Sequence, residues 1–137
     1  MRILLCVSIV AAGLAGVGDA LADPRGIWET EGGKSHVRLA DCENKPKRLC
    51  GTIVWMKNPR KDVKNGNERL RDRELVGTRV VWDLEHQGGK EWDDGEIYNP
   101  SDGDTYDSEL IEIDADTLEV SGCVWFICKE QTWKRIE

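Results

Sequence analysis

Short runs of alternating apolar and polar residues, each closed by a turn-forming cluster, follow one another from Ile27 to Ile136. Runs of that length are too short for packed helices. A period of two puts alternate side chains on opposite faces of a strand. The clusters are Glu31-Gly32-Gly33, Gln87-Gly88-Gly89, Asn99-Pro100-Ser101-Asp102-Gly103 and Asp114-Ala115-Asp116. Proline fixes φ and glycine accepts positive φ, so such clusters reverse a chain tightly. The pattern predicts strands over 27–30, 35–41, 50–57, 78–86, 91–98, 105–113, 117–122 and 131–136. Val37 and Leu39 share one face, Ile53 and Trp55 another, and Leu118 and Val120 a third. Residues 44–48, with Pro46, read as a charged loop. Residues 58–74 read as a long charged connection with one short helical turn over 67–72.

Composition supports strands over helices. Beyond residue 22 only Ala40 and Ala115 remain, against eight valines, seven isoleucines and six threonines. Branching at Cβ costs rotamer freedom in a helix and suits a pleated surface. Eight sequential strands in so short a chain predict an all-β fold, a small up-and-down antiparallel β-barrel. Closure removes the exposed edges that an open sandwich, the alternative, would keep.

Residues 1–22 read as a cleaved secretory signal peptide. Arg2 opens it, Ile3–Val17 is apolar with small residues, and Ala20-Leu21-Ala22 is a small-x-small cleavage site. The run is too short and too rich in Gly and Ala to span a membrane comfortably. Residues 23–137 then form one β-barrel domain, exported to the periplasm or beyond. With 19 Lys+Arg against 26 Asp+Glu and a net charge of -7, a generally basic nucleic-acid binder is excluded. Four cysteines follow the leader: Cys42, Cys50, Cys123 and Cys128. Export turns them into disulfide candidates, with three connectivities open. The favoured pairs are Cys42–Cys50 and Cys123–Cys128, each closing a short local loop. A zinc site is the rival reading, but no Cys-x-x-Cys occurs and His36 and His86 are distant in sequence.

Two resemblances follow from particular residues. Gly26-Ile27-Trp28 at the first strand and Arg135 in the last resemble the Gly-x-Trp and late arginine of calycins, the lipocalin-like superfamily. There the guanidinium stacks across the early indole, a favourable cation–π pair. The resemblance implies that Gly26, Trp28, Trp133 and Arg135 close the barrel. The second covers nearly the whole exported chain: Asp23-Pro24-Arg25-Gly26-Ile27-Trp28, Cys50-Gly51-Thr52-Ile53-Val54-Trp55, Asp62-Val63-Lys64-Asn65 and Leu70-Arg71-x-Arg73 with Gly77. It continues through Trp92, Gly95-x-Ile97-Tyr98-x-Pro100-x-x-Gly103, Tyr106, Gly122-Cys123 and Gln131-Thr132-Trp133-x-Arg135. These resemble the bacterial exported family called domain of unknown function 2147. Gly66 and Glu74 stand where that pattern has proline. Val124-Trp125-Phe126-Ile127 is bulkier than its Gly-rich hairpin. The resemblance implies a calycin-like barrel and supplies no catalytic residues.

Candidate ligand-binding residues are Asp62, Asn65, Arg71, Arg73, Trp92, Tyr98 and Tyr106. Arginine forks suit carboxylate or phosphate, so Arg71 and Arg73 would meet an anionic head at a barrel mouth. The plainer reading pairs them with neighbouring acids. Trp92 and Trp125 lie near turns and read as the exposed tryptophans; Trp28 and Trp133 read as core. The acids from Asp93 to Asp104 admit calcium, a sugar or a glycosidase-type pair, though no spacing fixes any of these. No nucleophile–base motif occurs. The sequence therefore points first to a non-enzymatic module binding a small or amphiphilic ligand. The alternatives are an envelope protein that binds a protein or cell-wall partner through its outer surface, and a carboxylate-based hydrolase. No metal or cofactor is assigned, and no membrane-spanning segment is expected once the leader is gone.

Overall fold

The computed structural model of the chain describes Gly13 and residues 23–137. The leader predicted over 1–22 lies, Gly13 apart, outside the described residues. Eight strands run β1 (Gly26–Glu29), β2 (Ser35–Cys42), β3 (Lys45–Met56), β4 (Arg79–Gly88), β5 (Glu91–Asn99), β6 (Asp104–Asp114), β7 (Thr117–Val124) and β8 (Ile127–Arg135). Every neighbour pair is antiparallel, and β8 returns to β1 to close the barrel in chain order. The helical turn expected over 67–72 is a single 3-10 turn at Glu68–Leu70, capped by the Asn67 side chain. Among the described residues no helix is long and apolar enough to cross a membrane.

Up-and-down order sorts the connections into two ends. The β2–β3, β4–β5 and β6–β7 turns share one end with Asp23 and Glu137. The β1–β2, β3–β4, β5–β6 and β7–β8 connections share the other. The first end is solid. Trp28, Leu39, Leu49, Leu84, Leu110 and Leu118 are fully buried there. Each such side chain contributes about 1.5–3 kcal/mol of transfer free energy. Asp23-Pro24-Arg25 crosses beneath them: the Trp28 indole N–H donates to the Pro24 carbonyl at 2.8 Å. Arg135 lies 4.3 Å over the Trp28 ring and donates to the carbonyls of Asp23, Arg25 and Ala115. Gly26 has φ 134°, and a Cβ there would collide with Glu137 and Arg135, so glycine is required at this crossing. Both disulfides pair as expected, Cys42–Cys50 and Cys123–Cys128.

Three expectations are corrected. β3 begins at Lys45, not Cys50. Pro46, Lys47 and Arg48 sit in an irregularity where Asp41 faces Leu49 but Cys42 faces Lys45, so Pro46 needs no β2 partner for its missing N–H. β8 begins at Ile127, because the β7–β8 ladder continues to the Val124–Ile127 pair. Trp55 does not share a face with Ile53. Val37 faces Ile53 while His36 faces Trp55, which makes Val54 an extra residue. That bulge turns Trp55 outward, where it stacks on His36 at 4.3 Å, and turns Met56 toward the core.

A candidate ligand site at the open end

The other end is hollow. A cavity of about 730 Å³ opens there. Val37, Ile53, Val80, Ile97, Val120 and Trp133 form its apolar wall and floor, with Met56 above. Tyr98, Tyr106, Asp102 and Gln131 add polar groups. Four cations ring the opening: Lys34 from the β1–β2 connection, Lys57 and Arg60 from the β3–β4 connection, and Lys129 from β8. Among the described residues none of these four is in an ion pair. Glu31 and Asp102 are the acids on the rim. Asp102 already accepts the Tyr106 hydroxyl at 2.5 Å and the Asn99 amide at 3.3 Å. The bond to Asp102 is the main reason the Tyr106 hydroxyl is pushed up to about 12.

The long β3–β4 connection is pinned beside this opening by one buried carboxylate. Asp62 is 1% exposed. It accepts from the Tyr98 hydroxyl at 2.5 Å, the Asn65 amide at 2.8 Å and the Arg73 guanidinium at 2.9 Å. Burial alone would push its pKa up, but those donors outweigh it and hold the carboxyl below its ordinary value. The same contact, after burial, pushes the Tyr98 hydroxyl up to about 12. Backbone bonds join Asp62 to Arg73 and Leu75 to Arg60. Gly103 of the β5–β6 turn, at φ 79°, packs against Lys64 so closely that a Cβ would strike its carbonyl.

The expected site residues are thus divided by the fold. Tyr98 and Tyr106 line the cavity. Asp62, Asn65 and Arg73 form the hydrogen-bonded support behind Tyr98. Arg71 turns to the Asn65 carbonyl and to Glu68 rather than to the cavity. Trp92, expected to be exposed, is 6% exposed at the closed end, with its indole N–H 3.4 Å from Glu112. It takes no part in the opening. Trp125 is exposed as expected. Sequence reasoning missed Lys34, Lys57, Arg60 and Lys129. One signal for Lys129 was available: with Gln131 it is in phase with Trp133 along β8, and so faces inward.

The acids named for a hydrolase in the sequence are divided among three places. Asp62 is buried under Tyr98, Asp102 is bound to Tyr106, and Asp93 and Asp94 lie at a separate outer groove. Among the described residues, Cys42, Cys50 and Asp83 are the one set of three metal-type donors within ligating reach, and both sulfurs are spent in a disulfide.

The family model described as "Uncharacterized protein conserved in bacteria (DUF2147)" matches residues 26–135. The chain belongs to this family. Its match spans the whole barrel from Gly26 to Arg135, the two residues that meet beneath the closed end. A solved structure described as "Protein HP1028 from the human pathogen Helicobacter pylori belongs to the lipocalin family" is similar, with 25% identity and a TM-score of 0.76. That likeness covers 85% of this chain and 84% of the other. No curated protein matches the chain in sequence.

Proposed function

We propose that this family member is an exported binding module that takes one amphiphilic small molecule into the open end of its barrel. The apolar part lies against Val37, Ile53, Val120 and Trp133. An anionic head meets Lys34, Lys57, Arg60 and Lys129. The carrying observation is the combination of a cavity of about 730 Å³ with four rim cations that are in no ion pair among the described residues. Cavities of a few hundred to about 1,000 Å³ with apolar walls and a few placed polar groups are the usual form of small-ligand sites. The lipocalin-family likeness supports the same reading. Arg71 and Arg73 serve it indirectly, by holding the β3–β4 connection in place. Export is supported by the leader pattern and by two disulfides, which persist in oxidising compartments.

The test uses an anionic apolar dye, anilinonaphthalene sulfonate, and the same aromatic amine without the sulfonate. Saturable binding of the dye, weakened roughly tenfold by K57Q/K129Q, is expected, with the uncharged amine far less affected. Equal binding of both probes, unchanged by those substitutions, would refute the head-group assignment. Native mass spectrometry of protein taken from the cell envelope then weighs any retained molecule.

A further inference from the structure

The β7–β8 hairpin ends in Val124, Trp125, Phe126 and Ile127, which are 50%, 87%, 87% and 72% exposed. Trp125 and Phe126 form the two-residue loop beyond the Val124–Ile127 pair. Trp125 holds φ 58°, at a position where such loops ordinarily carry glycine. With both side chains 87% exposed, little apolar burial favours this choice. The indole reaches no core, and the backbone bears left-handed strain that a bulky residue tolerates poorly. The Cys123–Cys128 disulfide sits one residue pair below and holds the tip in place. A held tip loses little freedom on docking.

Beneath the tip, on the outer face of β5, β6 and β7, runs a groove of about 560 Å³. Asp93, Asp94, Glu96, Asp107 and Glu109 line it, together with Gly95, Trp125, Phe126 and the disulfide. None of the five acids is in an ion pair among the described residues. Glu109 is pushed above its ordinary value, first by burial and then by Asp93 and Glu91. This face is separate from the ligand cavity. Gly122 and Lys129 line the lumen, while the alternating Cys123 and Cys128 line the outer groove.

We propose that the tip and groove together dock a protein partner that presents lysine or arginine beside an apolar pocket. The tip is convex, so covering Trp125 and Phe126 takes apolar side chains that close around it, which a free small cation does not provide. The five unneutralised carboxylates match a basic polypeptide in sign and would repel an anionic membrane. Aromatic anchors ringed by complementary charge are where binding energy concentrates in protein interfaces.

The test is a titration of the whole isotope-labelled protein with a synthetic peptide of alternating lysine and leucine, followed by NMR. Shifts should centre on the Trp125 indole N–H and on the amides of Asp93–Glu96 and Asp107–Glu109. W125S/F126S should weaken binding roughly tenfold. D107N/E109Q should weaken it several-fold and flatten its salt dependence. K57Q/K129Q, at the cavity rim, should leave it unchanged, which keeps this proposal distinguishable from the ligand-binding one. Unaltered affinity in W125S/F126S, or shifts centred on the cavity, would overturn it. So would Trp125-dependent partition of the protein into phosphatidylcholine–phosphatidylglycerol vesicles, which would assign the tip to a membrane instead.

Discussion

Asp62→Asn tests whether one buried carboxylate organises the open end. The amide keeps the shape but loses the charge, and it turns an N–H₂ toward at least one of three donors. Tyr98 and Asn65 are both buried, so their donors cannot turn to water. The Arg73 side chain is 32% exposed and recovers part of its loss by hydration. With about 1.5–3 kcal/mol for a buried hydrogen bond to a charged group and less for the exposed partner, the loss is about 4 kcal/mol. That agrees with about 3–5 kcal/mol for breaking a buried pair. In a domain of this size it lowers Tm by about 12–20 °C. The assay is thermal denaturation followed by near-ultraviolet circular dichroism, with disulfides intact, at neutral and acid pH. Asp62 is held below its ordinary value of 3.8. Its stabilisation is therefore fully present above 3.8 and is lost as pH falls through the depressed folded value. The gap between the native protein and D62N should close in that acid range. A gap under about 1 kcal/mol at neutral pH, or one of full size in strong acid, would refute the assigned role.

Three further outcomes are expected. Arg135→Lys removes the stack on Trp28 and at least two of three carbonyl contacts, and should cost about 2–3 kcal/mol by urea denaturation. Glu112→Gln should stabilise. Burial raises this carboxyl above 4.5 and one of its oxygens has no partner, so native stability is fully present below 4.5 and falls as pH rises through the raised value. The gain in Tm should therefore appear near pH 8 and vanish near pH 4, and equal Tm values at both would count against it. Gly103→Ala meets both a positive φ and the Lys64 carbonyl, and should cost more than about 1 kcal/mol in the same denaturation assay.

Much of the fold is legible from local pattern. Alternation between glycine- and aspartate-rich turns specifies the strands, because a period of two and a tight reversal are properties of a few adjacent residues. Gly26, Trp28 and Arg135 announce the closed end, since one stacked guanidinium can satisfy several crossing carbonyls at once. The cysteine pairs follow from short loops between neighbouring strands. The extra residue at Val54 was not legible. A bulge exists only relative to its partner strand, and it turned Trp55 out and Met56 in. Trp92 looked exposed because it lies near a turn, but that turn belongs to the filled end of the barrel. The charges on the opening depended most on tertiary structure. Arg71 and Arg73 looked free in sequence and are occupied by Glu68, the Asn65 carbonyl and Asp62, while Lys34, Lys57, Arg60 and Lys129 come from two connections and β8 and are in no ion pair among the described residues. Whether a cation is spent or available depends on which acids the chain brings to it, and only closure of the barrel makes that choice.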